Sequence, residues 1–126
     1  MKTEKLITHK GTIVNANKKI TQKEDGLYDV VMEDVGFYCH VSYVDGKVTG
    51  VDITVGKMGE QLRVYEVLGR CISVGLRNGV DISEYIDELE HVCFEPSGIT
   101  KNQHIPHVKS IVDYIAKYLR GLSVGS

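Results

Sequence analysis

Apolar and polar residues alternate through the first half of the chain with the period of two that half-buried β-strands show. The clearest run has its apolar members at Val35, Phe37, Cys39, Val41 and Tyr43. This pattern predicts a strand with one face in the core and the other toward solvent.

A tight hairpin turn is predicted directly after this strand. Asp45-Gly46 can adopt the positive backbone φ angles that a two-residue hairpin loop requires. The returning strand then begins near Val48, and a shift of the apolar pattern at Gly50 indicates an irregularity in the pairing.

Two further segments add strands to the same sheet. Lys5–Asn17 is mixed, with threonine and valine, and predicts an edge strand, while Leu27–Met32 predicts another. The polar stretch Lys18–Gly26 between them predicts a loop. Three or four antiparallel strands are therefore expected, over about residues 5–56.

The apolar spacing becomes helical after Gly56. A first helix is predicted over about residues 58–78, with an end at Asn78-Gly79, where a glycine can cap the last carbonyls. Its apolar stripe consists of Leu62, Tyr65, Leu68, Ile72 and Leu76.

Two more helices follow, each with a capping signal. Asp81, with Glu84 three residues on, predicts a helix over about residues 82–90, and Ser110 with Asp113 predicts one over about residues 110–120. The apolar faces are Ile82, Tyr85, Ile86 and Leu89 in the first, and Ile111, Ile115, Tyr118 and Leu119 in the second. We expect an α+β fold in a single domain, residues 1–126, with about three helices packed on one face of a small antiparallel sheet.

Composition restricts the partners. Of the 126 residues 42% are hydrophobic and 25% charged, which is typical of an ordered globular protein, and the net charge of -2 gives no bulk attraction to long nucleic acid or to a membrane. No apolar run approaches the roughly 20 residues that span a bilayer. The three cysteines, Cys39, Cys71 and Cys93, form no C-x-x-C pair, so we expect buried thiols and a cytoplasmic location.

A long polar loop, over about residues 94–109, carries the candidate chemistry. The ring of Phe94 can stack on a base, Thr100 and Asn102 can hydrogen-bond to a base edge or ribose, and basic groups can contact phosphate. The expected ligand-binding residues are Arg63, Phe94, Thr100, Asn102, His104, His107, Lys109 and Arg120. The alternative is that Phe94 only anchors the loop to the core while its polar residues are solvated.

A metal site in this loop is not expected. His104-x-x-His107, with His91 and Cys93 upstream, offers four potential ligands, but Pro106 enforces an extended backbone between the histidines. The spacing also fits no zinc finger or ribbon.

The loop and the helix after it resemble a known family. Phe94-Glu95-Pro96-Ser97-Gly98, then Thr100, Asn102, Ile105-Pro106, Lys109-Ser110-Ile111 and Asp113-Tyr114-Ile115, is similar to the C-terminal region of cobalamin-dependent (class II) ribonucleotide reductases. The weaker part of the likeness includes Thr8-His9-Lys10 and Leu68-Gly69-Arg70. The TSCPD motif of related domains falls at Lys109–Asp113, where Ile111 and Val112 replace its cysteine and proline.

The resemblance implies a relative of that C-terminal domain without the reductase activity. A chain of 126 residues is too short for the ten-stranded barrel in which the family does its radical chemistry, and the cysteine of the motif is missing. We therefore expect no enzyme activity and no cofactor. Two functions remain open: a non-catalytic, homo-oligomeric protein that binds a small nucleotide-type ligand, as in a phage protein that sequesters defence signals, or an accessory module of a class II reductase.

Overall fold

The computed structural model describes residues 4–56 and 61–124. Three long strands form an antiparallel sheet in the order β1-β2-β3, and two short strands form a separate pair. The elements in chain order are β1 (Glu4–Gln22), β2 (Tyr28–Val44), β3 (Lys47–Val55), α1 (Gln61–Arg77), α2 (Ile82–Leu89), β4 (Gly98–Ile99), β5 (His107–Val108) and α3 (Ile111–Val124). The α+β prediction is confirmed.

Strands β1 and β2 form a ribbon that is much longer than β3. They pair from Glu4↔Val44 to Gln22↔Tyr28, whereas β3 pairs with β2 only from Phe37 to Val44. The segment 17–33, which we call the arm, is therefore two-stranded. The prediction of a loop over Lys18–Gly26 is wrong for Lys18–Gln22, because these residues pair with Tyr28–Met32 and continue β1.

The hairpin between β2 and β3 has the predicted turn. Asp45 and Gly46 both have positive φ, 53° and 80°, as a type I′ turn requires. The register shifts by one residue between the Ser42↔Gly50 and Tyr43↔Val48 pairs, at the predicted irregularity.

Helix α1 lies beside the edge strand β3. The hydroxyl of Ser73 accepts a hydrogen bond from Val51 N (2.9 Å) and donates one to Val51 O (3.0 Å), so it satisfies polar groups that an edge strand would otherwise expose. Gly69 permits this approach, since a Cβ atom there would lie 2.9 Å from Val51 O.

The end of α1 also follows its prediction. Gly79 has a φ of 94°, its N–H donates to Leu76 O, and the next N–H, of Val80, donates to Gly75 O. These two bonds are those of a Schellman cap. The predicted start of the helix at residue 58, and the side chain of Leu62, lie outside the described residues.

The core lies between the inner face of the sheet and the helices. Alternate residues of β2 and β3 point into it, and residues 111–116 of α3 are all buried. The ring of Phe37 meets that of Tyr114 edge to face at 4.8 Å, which fixes α3 over the sheet. None of the described helices is long and apolar enough to cross a bilayer.

The prediction that all three cysteines are buried is right for one of them only. Cys39 is buried in the core, and burial, together with the negative charge of Asp52, raises the pKa of its thiol to about 12. Cys71 and Cys93 are exposed. Cys71 lies on the side of α1 away from the core, and Cys93 lies in the turn after α2.

Candidate functional site

The predicted long loop contains a small hairpin that its own side chains organise. Strands β4 and β5 pair through Gly98↔Val108 and Ile99↔His107, and Thr100 N donates to Pro106 O at 3.0 Å. The Thr100 hydroxyl is buried; it donates to the carbonyl of Ile105 and accepts from Asn102 N at 3.1 Å. The side chain of Thr100 therefore holds the turn in shape.

Asn102 connects this turn to α3 and β1. Its Oδ1 accepts from His104 N (2.9 Å), and its Nδ2 donates to the hydroxyl of Tyr114 (3.1 Å). The same hydroxyl lies 2.7 Å from Nε2 of His9, whose ring stacks on Tyr118 with 4.1 Å between centroids. Three distant parts of the chain thus meet in one hydrogen-bonded network.

Burial favours the neutral form of His9, because it lowers the pKa of the ring below its usual value. The 2.7 Å bond between Nε2 of His9 and the Tyr114 hydroxyl forms in either tautomer of the neutral ring, with Nε2 as acceptor or as donor.

This network forms one wall of a polar pocket of about 260 Å³. Its lining consists of His9, Lys10, Thr12, Lys101, Asn102 and Tyr114. Two lysines stand at the pocket: Lys101 is 3.3 Å from a carboxylate oxygen of Asp34, and Lys10 Nζ is 5.9 Å from the ring centre of Tyr38. The pocket combines donors and positive charge with an aromatic wall.

Phe94 lies at a second, apolar groove of about 380 Å³. Its ring is 41% exposed, although its backbone N–H is fixed by a bond to Lys109 O (3.0 Å). The groove lies between α1, the end of α2 and the start of α3, and it is lined by Val64, Tyr65, Leu68, Leu89, Val92, Phe94, Glu95 and Val112. A planar apolar group can enter it and stack on the Phe94 ring.

Ser110 and Asp113 form the cap that holds the loop against α3. The Ser110 hydroxyl accepts from Asp113 N (2.9 Å) and donates to Val92 O (2.6 Å). The carboxylate of Asp113 is fully buried and accepts from His91 N (2.7 Å), Lys109 N (2.8 Å) and Lys117 Nζ (2.6 Å). The predicted cap is confirmed, with one difference. The carboxylate of Asp113 accepts from the backbone N–H groups of Lys109 and His91 instead of that of Ser110.

The charge of Asp113 is stabilised by these contacts. Burial by itself would raise the pKa of the carboxyl. The hydrogen bonds from Lys117, Lys109 and His91 outweigh burial, so the pKa lies below its ordinary value.

The predicted ligand residues do not all meet in one protomer. Thr100 and Asn102 lie together, whereas Phe94 lines the separate apolar groove, and no residue of the described ranges lines both cavities. The side chains of His104, His107 and Lys109 are exposed, and Arg63 is exposed in the first turn of α1. Their role in binding stays a prediction.

Arg120 is engaged with α2. Its Nε donates to Glu90 at 2.6 Å and its Nη2 to Asp87 at 3.4 Å, which raises the pKa of the guanidinium through the Glu90 bond. It contributes to the α2–α3 contact, and a ligand would have to compete with two carboxylates for it.

His9 and Tyr114 are the site residues that sequence reasoning missed. They are 105 residues apart, and neither stands out by spacing: His9 follows the strand pattern and Tyr114 lies in the apolar face of α3. The resemblance to a family included both residues without giving either a role. Within residues 4–56 and 61–124 there is no group of three or more histidine, cysteine or acidic side chains that could hold a metal ion.

Comparisons with known proteins identify a family for this chain. The TSCPD domain matches residues 9–122. Vitamin B12-dependent ribonucleotide reductases are similar over 67% of this chain: that of Rhodopirellula baltica is 34% identical and that of Streptantibioticus cattleyicolor 32% identical, each over 85 residues. The one from Bradyrhizobium diazoefficiens is 34% identical over 79 residues, 61% of this chain.

These matches cover a small part of each reductase. The aligned region is 8%, 14% and 6% of the three relatives, respectively. No solved structure matches the chain. Because the TSCPD domain matches residues 9–122, from β1 to α3, the chain belongs to the TSCPD domain family.

Proposed function

We propose that this chain is a non-catalytic nucleotide-binding protein built on a domain like the C-terminal one of class II reductases. The observation that carries the proposal is the Phe94 ring, 41% exposed at the edge of an apolar groove of about 380 Å³. Ligand pockets of about 300–1,000 Å³ are lined mainly by apolar and aromatic side chains, and a base stacks favourably on such a ring. The groove is large enough for a base.

Polar groups for the rest of a nucleotide surround the groove. Arg63 is exposed in the first turn of α1, next to Val64 of the lining, and can contact phosphate; Glu95 offers a carboxylate to an exocyclic amine. The polar pocket around Asn102 offers further donors on the other side of the loop. A ligand larger than a mononucleotide would need additional walls, which a second protomer of a homo-oligomer can supply.

Binding without turnover suits a protein that removes a nucleotide from solution. The described side chains of the groove are apolar or aromatic, apart from Glu95, and contain no pair of nucleophile and base. We infer that the biological role is sequestration of a small nucleotide signal, such as a cyclic nucleotide or a cyclic ADP-ribose variant of a defence system.

A thermal-shift screen tests the proposal. The purified chain is incubated with mononucleotides, cyclic dinucleotides and cyclic ADP-ribose variants; a ligand at 100 times its Kd adds about 2.7 kcal/mol of stability and raises Tm by on the order of 10 °C. If no compound of the panel raises Tm, the proposal is wrong.

Two substitutions then locate the site. Phe94→Ala should weaken binding by about 1–3 kcal/mol, the value of one stacking contact, and Asn102→Ala tests the polar pocket. Tyr38→Ala is the matched control, because Tyr38 is an equally exposed aromatic residue on the sheet, away from the groove. Equal affinity of the Phe94→Ala and Tyr38→Ala proteins would exclude the groove.

The second candidate function is an accessory or regulatory module of a class II reductase. The relatives that match are vitamin B12-dependent ribonucleotide reductases, and α1 exposes three valines that a protein partner could cover. Titration calorimetry of the chain against a class II reductase, with and without its nucleotides, separates the two functions: a complex without free nucleotide favours the module.

A further inference from the structure

The arm, residues 17–33, is a two-stranded ribbon with one apolar face. Ile20 pairs with Val30, Lys18 with Met32 and Gln22 with Tyr28, so these side chains share a face. The opposite face pairs Lys19 with Val31, Thr21 with Asp29 and Asn17 with Glu33, and is mostly polar. The apolar residues Ile20, Tyr28, Val30 and Met32, with Leu27 at the turn, are between 47% and 64% exposed.

An isolated ribbon of this kind is not expected to persist uncovered. A two-stranded hairpin is at best marginally stable in water, and stability requires a third strand or packing of its hydrophobic face. Neither is present within the described chain, since β3 begins to pair with β2 only at Phe37 and α1 packs on β3. The apolar face of the arm is therefore open to a surface from another molecule.

The exposed side of α1 offers a complementary surface. Val64, Val67 and Val74 are each at least half exposed, and they alternate along one side of the helix with Arg63, Arg70 and Arg77. No carboxylate of a described residue lies within ion-pair distance of these arginines.

The charges of the arm and of α1 are also complementary. The arm carries four carboxylates, at Glu24, Asp25, Asp29 and Glu33, against three lysines, whereas α1 carries three arginines against one glutamate. A weakly acidic ribbon with an apolar face thus fits a basic helix with an apolar stripe, and complementary charges fix the orientation of such a contact.

We propose that the arm of one protomer packs its apolar face on the exposed side of α1 of a second copy of this chain. Five half-exposed apolar side chains offer on the order of 500 Å². One such contact is small, but two reciprocal contacts related by a two-fold axis bury on the order of 2,000 Å², within the range of stable interfaces. With a two-fold axis, the arm and α1 are each used once in each protomer and the assembly closes as a dimer.

Adjacent valines on the two faces of the arm give a matched test. Val30 (54% exposed) lies on the apolar face and Val31 (50% exposed) on the polar face, so V30E and V31E make the same chemical change at the same exposure. Sedimentation velocity from 1 to 100 µM, roughly the range in which a Kd near 1 µM is resolved, should show a dimer for the wild type and for V31E. V30E should sediment as a 14.0 kDa monomer, with a Kd raised by about 100-fold or more.

Variants of α1 test which surface receives the arm. V67E should also be monomeric. An equimolar mixture of V30E with V67E should associate more strongly than either variant alone but more weakly than the wild type, because it keeps one intact contact, formed by the V67E arm on the V30E helix. Far-UV circular dichroism and Tm of each variant report folding. V31E shows how much a charge on the arm changes stability when the apolar face is left intact.

Three outcomes would overturn the proposal: a monomeric wild type across the range, equal behaviour of V30E and V31E, or a V67E protein that dimerises like the wild type. The last would show that the arm pairs with something other than α1. An assembly that forms only when a reductase is added would assign the arm to that partner and would likewise refute self-association.

Discussion

Removal of the Asp113 carboxylate should be among the most damaging single changes in the chain. Asp113 is fully buried, and its two oxygens accept from His91 N, Lys109 N and Lys117 Nζ. In Asp113→Ala the two backbone N–H groups lose their partners, at about 1–1.5 kcal/mol each, while Lys117 is part-exposed and can turn to water. We expect the free energy of unfolding to fall by about 2–4 kcal/mol, a large part of the 5–15 kcal/mol typical of a domain.

Asp113→Asn gives a sharper version of the same change. The amide keeps the shape, but its NH₂ group faces a backbone donor, so one N–H remains unsatisfied and the ion pair with Lys117 is lost. Lys117→Met removes only the ammonium and leaves both backbone donors on the buried carboxylate, so it should cost less than Asp113→Ala but more than the loss of an exposed ion pair. Asp81→Ala is the matched control, because Asp81 caps α2 through Ser83 N but is exposed, and its loss should cost about 1 kcal/mol.

Urea unfolding followed by circular dichroism measures these differences. Asp113→Ala and Asp113→Asn are expected to destabilise the protein most, and Lys117→Met and Asp81→Ala less. Because the pKa of Asp113 is lowered in the folded state, its stabilising contribution is present above the ordinary carboxyl pKa and is lost as the pH falls through the folded-state pKa. A cost for Asp113→Asn no greater than that for Asp81→Ala would refute the reasoning.

Three further changes follow from local geometry. Because burial lowers the pKa of His9, the unfolded chain binds a proton before the folded one as the pH falls through about 6.5. Urea unfolding should therefore show a loss of stability toward pH 5 in the wild type that is missing in His9→Gln. The same dependence of stability on pH in both proteins would contradict this. Gly69→Ala should destabilise by about 1–3 kcal/mol, since its Cβ would lie 2.9 Å from Val51 O, although the same change in an open helix stabilises; Gly36→Ala, with nothing within 4 Å, is the control for Tm. Gly79→Ala should cost about 1 kcal/mol in urea unfolding because φ is 94°, and a neutral result would exclude the cap as the reason for that glycine.

The parts of the fold that were predictable from the sequence depend on local signals. The turn at Asp45-Gly46, the helix end at Gly79 and the start of α3 at Ser110 are each set by side chains or φ angles within a few residues. Such interactions have the same geometry in any fold.

The arm was not predictable in this way. Between Lys18 and Gln22 the only apolar residue is Ile20, so polarity indicated a loop. What extends β1 is its backbone pairing with Tyr28–Met32, whose own apolar pattern was recognised as a separate strand. Pairing partners compensate for a weak pattern on one strand, and that compensation is visible only once both strands are placed.

Only the loop residues of the polar site were predictable from the sequence. Asn102 lies in a polar loop and was chosen for its amide, but the amide donates to a tyrosine on α3, and the hydroxyl of that tyrosine in turn bonds to a histidine on β1. The apolar surroundings of Tyr114 in the sequence indicate a core residue, and its ring does pack against Phe37. Its hydroxyl has a different role from its ring, and no periodicity separates the two.

The family's motif has two kinds of position, and the structure separates them. Ser110 and Asp113, which this chain keeps, are bound to Val92 O, His91 N and Lys109 N, so they hold two loops to the start of α3. Ile111 and Val112, which replace the cysteine and proline, are buried and make apolar contacts only. The retained positions stabilise the fold whatever the domain does, and the replaced ones no longer carry a thiol. Membership of the TSCPD family therefore accounts for the shape of this loop, while the nucleotide site that we propose depends on Phe94, Asn102 and their neighbours.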